Sequence, residues 1–164
     1  MLKSTGIPER EQLDAVTPPA SRRSKGPVAV FECFERIPCD PCYHACKHGA
    51  VKEFSDICDV PEVDFERCTG CGLCVVACPG LAIFILDETP SDHAVVGIPY
   101  EMLPVPEPGQ EVTLLDREGR DLGKGQVKQV SRPGVGSGTL LVRLKIPKET
   151  VGDVRSFRLE RGMS

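Results

Sequence analysis

Residues 67–80, RCTGCGLCVVACPG, hold Cys68, Cys71, Cys74 and Cys78 at the spacing C-x2-C-x2-C-x3-C, with Pro79 directly after. Thiolates spaced this way suit iron–sulfur chemistry. The first three sit on a loop short enough to wrap three corners of a cubane, and the fourth, starting a helical turn, points away toward a second centre. One such motif is therefore incomplete by itself. A second group stands upstream in CFERIPCDPCYHACK, which supplies Cys33, Cys39, Cys42 and Cys46.

Competing chemistries fit the spacing less well. Four-cysteine zinc sites use two C-x2-C pairs a dozen or more residues apart, whereas here four thiols fall within eleven positions. A thiol–disulfide catalyst calls for a βαβ context, which the sequence lacks. His44 and His48 flank Cys46, but a mixed His/Cys cluster would use two of each, and eight cysteines are already in register. Both histidines are thus expected at the surface or beside the ligands. The ninth cysteine, Cys58, reads as a small packed side chain, with substitution for Cys33 as its alternative role. His93 stands in no visible constellation.

The segment 28–88 resembles the bacterial two-cluster ferredoxins, through CTGCGLCVVACP and through the C-x2-C-x3-C of Cys39, Cys42 and Cys46. The resemblance implies two [4Fe-4S] clusters with crossed ligation. Cys33, Cys39, Cys42 and Cys78 would hold one, and Cys68, Cys71, Cys74 and Cys46 the other. Two departures stand out. The gap from Cys33 to Cys39 is widened to FERIP, a bulge stiffened by Pro38, and Lys47 replaces the proline expected after Cys46. A lysine there adds an amide N–H and a positive charge beside a ligand, changes that raise a cluster's potential.

The elements around these loops read as short. VAVFE (28–32) and LAIFILD (81–87) are apolar strands bracketing the cysteines, and AVKEF (50–54) and EVDF (62–65) are shorter ones between them. Residues 1–27, with TPPASRRSKGP, read as an extended arm. Residues 89–108 carry five prolines and read as an extended connector with a short strand at AVVGI. Residues 109–164 read as four strands of a small antiparallel β-module, curled like a partial barrel, with alternation clearest at Leu140, Val142, Leu144 and Ile146. GVGSG (134–138) reads as a hairpin link between strands rather than a phosphate cradle. The expected fold class is α+β: a ferredoxin-like two-cluster domain followed by that module.

Composition narrows the function. Fifteen prolines, 16 glycines and no tryptophan describe short elements and many turns. No apolar run approaches the ~20 residues of a membrane span, and the opening residues lack a secretory h-region, so a cytoplasmic location is expected. Residues 1–27, 28–88 and 89–164 carry formal charges of +2, −7 and +1. The cysteine segment is thus the acidic one, a poor surface for nucleic acid. No nucleophile–base pair, G-x-G-x-x-G or P-loop is present, so the expected role is electron relay without a catalytic site.

The wider layout is similar to the small iron–sulfur subunits of multi-subunit FAD-dependent amino-acid and amine dehydrogenases of the proline, hydroxyproline and sarcosine type. ECFERIPCDPCYHACKHGAV, DFERCTGCGLCVVACPGLAIFILD and IPYEMLPVPEPGQEVTLLDREG carry this likeness. It implies a flavoprotein dehydrogenase partner in a hetero-oligomer, with electrons passing singly through the clusters. An independent, diffusible ferredoxin is the alternative, and a redox-sensing or nucleic-acid-binding β-module is a third reading. The third is disfavoured because Phe157 is the one aromatic residue in 109–164.

Overall fold

The computed structural model describes residues 2–160, apart from the side chain of Lys3. Its framework is one seven-stranded antiparallel sheet: β1 (Val28–Phe31), β2 (Ile83–Asp87), β3 (Ala94–Tyr100), β4 (Glu111–Leu115), β5 (Asp121–Ser131), β6 (Leu140–Ile146) and β7 (Ser156–Leu159). The strands lie in the order β1-β2-β3-β6-β5-β4-β7. With five short helices beside this sheet, the protein is an α+β structure.

The apolar runs VAVF and IFIL are continuous because both faces of their strands are covered. Ala29, Phe31, Ile83 and Ile85 face the cysteine loops, together with Leu141 of β6. Val30, Phe84 and Leu86 face the opposite way, into a larger core shared with Val96, Val142 and Leu144. Residues from β4, β5 and β7 enter that second core too, among them Val112, Leu114, Val127 and Phe157. The sheet therefore curls over itself, and Phe157 stacks on Tyr100 with ring centroids 5.1 Å apart. It stays open, because β1 and β7 are its two edges and do not pair.

A buried ion cluster spans that opening. Glu32, at the end of β1, accepts from Arg117 Nε at 2.8 Å and from Arg155 Nε at 2.7 Å, residues from the far end of the sheet. Arg155 is also 5.2 Å above the Phe84 ring.

Three features differ from the sequence expectation. Residues 2–27 are not an extended arm: they form α1 (Leu2–Thr5), α2 (Arg10–Val16) and α3 (Ala20–Arg23). The reason for α2 is local, since Glu9 and Gln12 make a reciprocal capping box around its first turn. AVKEF and EVDF form a single bridge, Val51 to Val63, rather than strands. The four strands beyond residue 109 are present, yet they share one sheet with the cysteine segment. The strand at AVVGI runs on to Tyr100 and joins β2 to β6. Pro99 is tolerated inside it because β2 pairs with β3 only as far as Gly97, so that Pro99 has a strand partner on one side alone, Leu141 of β6.

Candidate metal centre

Two five-residue helices position four of the thiols, two inside them and two at their C-terminal ends. Helix α4 (Pro41–Ala45) starts with proline at a position where the missing N–H costs nothing, and Cys46 closes it. Helix α5 (Leu73–Ala77) starts from Gly72 in the left-handed conformation, φ 83°, and Cys78 closes it. The two helices pack together on the sheet face formed by Ala29, Phe31, Ile83 and Ile85.

The cysteines ring two cavities. Cys46, Cys68, Cys71 and Cys74 line the first, whose space is about 350 Å³ with its mouth included. Cys33, Cys39, Cys42 and Cys78 line the second, of about 380 Å³. Each cavity thus takes three thiols from one sequence group and one from the other. Among the described residues no group of three or more His, Cys, Asp or Glu side chains converges on a point as a single bound ion would require. The thiols instead stand apart around a space, and a four-thiol ring of this kind fits a cubane cluster with one ligand per iron.

Electrostatics groups the thiols nearly the same way, with one crossing, the action of Cys42 on Cys74. Burial pushes the Cys42 thiol up to about 11, aided by repulsion from Cys78, Cys33 and Cys39. Burial raises Cys33 and Cys39 as well, again with Cys78 as the leading charge. Cys74 is raised by burial and then by Cys68, Cys71 and Cys46. Cys46 is the exception. Burial would raise it, but main-chain N–H groups of Val51, His48, Ala50 and Gly49 turn toward its sulfur and bring it below the ordinary thiol value. Ala50 N lies 3.3 Å from Cys46 Sγ, Ala29 N donates to Cys68 Sγ at 3.3 Å, and Ala82 N to Cys78 Sγ at 3.5 Å. Such N–H···S bonds favour charged sulfur.

The widened FERIP loop is held rather than loose. Cys39 N donates to Ile57 O at 3.1 Å, and Arg36 meets Asp59 at 3.0 Å. Cys33 therefore reaches the second cavity despite the bulge. Cys58 lies in the adjoining loop, is partly exposed and lines neither cavity. His44 is exposed and bound to Asp40, His48 stands on the rim of the first cavity, and His93 meets Asp92 away from both. Lys47 is exposed.

Sequence reasoning missed the arginines that reach this region from outside the cysteine segment. Arg22 is buried, and donates to the carbonyls of Phe65 (2.7 Å), Gly26 (3.0 Å), Pro27 (3.3 Å) and Cys68 (2.6 Å). In SRRSK it looks like one charge of a solvated run, and no pattern marks it.

No helix among the described residues is long and apolar enough to cross a membrane. No curated protein and no solved structure matches the chain. Residues 61–84 match the family model described as "4Fe-4S binding domain", a span holding Cys68, Cys71, Cys74 and Cys78. The chain thus contains a ferredoxin-type iron–sulfur domain with a 4Fe-4S centre, and its role is electron transfer.

Proposed function

We propose that the chain holds two [4Fe-4S] clusters by crossed ligation, one on Cys33, Cys39, Cys42 and Cys78, the other on Cys46, Cys68, Cys71 and Cys74. The observation carrying this reading is the pair of four-thiol cavities, each completed by a cysteine from the other group. Bound clusters would supply one-electron redox chemistry. The chain's own part is to exclude water with Ile83, Ile85 and Phe31, and to turn main-chain N–H groups toward the sulfurs. Anaerobic reconstitution tests it directly: roughly eight irons and eight sulfides per chain are expected, and four of each would reject the two-cluster reading.

The wider role in this reading is a non-catalytic subunit that relays electrons from a flavin-dependent amino-acid or amine dehydrogenase. Its support is the likeness of the quoted segments to such subunits, together with the strands β4 to β7, which bear no cysteine and enlarge the protein beyond a minimal cluster domain. The acidic segment 28–88 suits a basic docking face on that partner. Anaerobic co-purification from the source cell tests this. A flavin-bearing partner is expected, and a chain that elutes alone by gel filtration would favour the diffusible ferredoxin instead.

A further inference from the structure

Arg22 presents a physical problem that the cysteine motifs do not address. A guanidinium cannot shed its proton, and burying it is costly unless an opposing charge is near. Its side chain is 8% exposed, and all its hydrogen bonds go to main-chain carbonyls. No carboxylate among the described residues pairs with it, in contrast to its neighbour Arg23, which meets Glu88. Four carbonyl dipoles solvate the cation but leave a full positive charge beside the main chain of Cys68.

Arg143 approaches the same loop from the other side. It stands on β6, is partly buried, and points Nη2 at the Gly70 carbonyl, 3.4 Å away. Gln129 and Ser131 hold its other nitrogen at 3.3 and 3.4 Å. The negative groups acting on it are the Cys71 sulfur and the Asp87 carboxylate. The loop Cys68–Cys71 is therefore clasped between two cations, one from the helical arm and one from the sheet. Neither belongs to the segment that carries the ligands.

We infer that Arg22 and Arg143 together set the reduction potential of the centre on Cys46, Cys68, Cys71 and Cys74, by placing fixed positive charge against a group that becomes more negative on reduction. This rests on the two-cluster reading above. Reduction adds one electron to an anionic group, so a nearby cation stabilises the reduced form more than the oxidised one and raises the potential. Lys47, the residue whose charge the sequence brings to mind first, is exposed and screened by water, so its effect is smaller. The other cavity has a different arrangement: the charged side chains in its lining are the carboxylates of Glu35 and Asp59.

The experiment is a redox titration of the anaerobically reconstituted full chain, followed by electron paramagnetic resonance, in wild type, Arg143→Gln, Arg22→Gln and the two lysine variants. One of the two couples is expected to fall in both glutamine variants, by at least tenfold in its one-electron equilibrium, about 59 mV. The other couple stays in place. Arg143→Lys and Arg22→Lys keep the charge and are expected to recover most of the loss, which a merely structural role would not predict. Arg143 is only partly buried, so its glutamine variant answers the question even where Arg22→Gln loads poorly. Unchanged potentials in Arg143→Gln, or equal movement of both couples, would overturn the inference while leaving the two clusters standing. Wild type with about four irons per chain would instead reject the reading beneath it.

Discussion

Cys74 lies in α5 and Cys78 caps its C-terminal end, yet their sulfurs open onto different cavities, Cys74 with Cys46 and Cys78 with Cys33. One turn of backbone thereby joins the two candidate centres. A helical turn rises only about 5 Å, so the connection is both short and stiff. Cys42 also raises Cys74 electrostatically across the α4–α5 contact.

That arrangement predicts a clean split between two variants. Cys74→Ser should remove one redox couple and Cys78→Ser the other, each lowering iron from roughly eight to roughly four per chain. Iron and sulfide assay with a redox titration would check it. Loss of the same couple in both variants would contradict crossed ligation.

Cys58 supplies the opposite test. It lines neither cavity, and its main-chain N–H donates to Asp56 at 2.8 Å in a loop where the side chain is partly exposed. Cys58→Ser should leave iron content and both potentials at wild-type values. A drop in iron would mean that the chain uses Cys58 in place of a ligand proposed here.

Glu32 makes a prediction about stability. Its carboxyl is buried, which by itself raises a pKa, but hydrogen bonds and charge from Arg117 and Arg155 overcome this and hold it below the usual carboxylate value of 4.5. A depressed folded-state value means that the stabilising effect is full above the unfolded value and is lost as pH falls through the folded one. Glu32→Gln should therefore cost about 3–5 kcal/mol at neutral pH, since it takes the nearest anion from the buried Arg155 guanidinium and leaves Arg117 only Asp153, 4.0 Å away. The gap between wild type and variant should narrow below about pH 4.5. Denaturant unfolding at pH 7 and pH 4 would measure both.

How much of this could be read beforehand depends on range. The two cysteine groups were legible as groups because their spacing is local, eleven positions for Cys68–Cys78 and fourteen for Cys33–Cys46. VAVFE and LAIFILD were legible because strands covered on both faces leave continuous apolar runs, and they differ from β1 and β2 only at their ends. The pairing of β3 with β6 was not, because a partner 40 to 52 residues away leaves no local mark, and the prolines of 89–108 suggested a linker. The helical arm was partly legible: Glu9 and Gln12 stand three residues apart, the spacing of a capping box, though without the usual Ser or Thr. Arg22 was not legible at all, since burial of a single arginine is decided by tertiary packing.

The loop CTGCGLC is gripped from both sides, and its glycines record where. Gly70, at φ 65°, has no room for a Cβ, which would come within 2.6 Å of Pro27 in the arm. Gly72, at φ 83°, starts α5, and a Cβ there would overlap the Leu141 side chain of β6, which is fully buried. Gly72→Ala combines a left-handed backbone with a collision against the end of the Leu141 side chain, which is fully buried and must shift within its packed surroundings. The backbone cost alone is about 1–2 kcal/mol, and overpacking adds about 1–3 kcal/mol. Unfolding free energy should fall by about 2–5 kcal/mol, measured on reconstituted protein, and iron should be lost first from the centre on Cys46, Cys68, Cys71 and Cys74. Leu141→Ala placed in the same chain relieves the collision but leaves the backbone strain, so it should restore iron loading only in part. Full loading in the single variant would mean that β6 does not press on this loop, and the sheet would then have no part in shaping the centre.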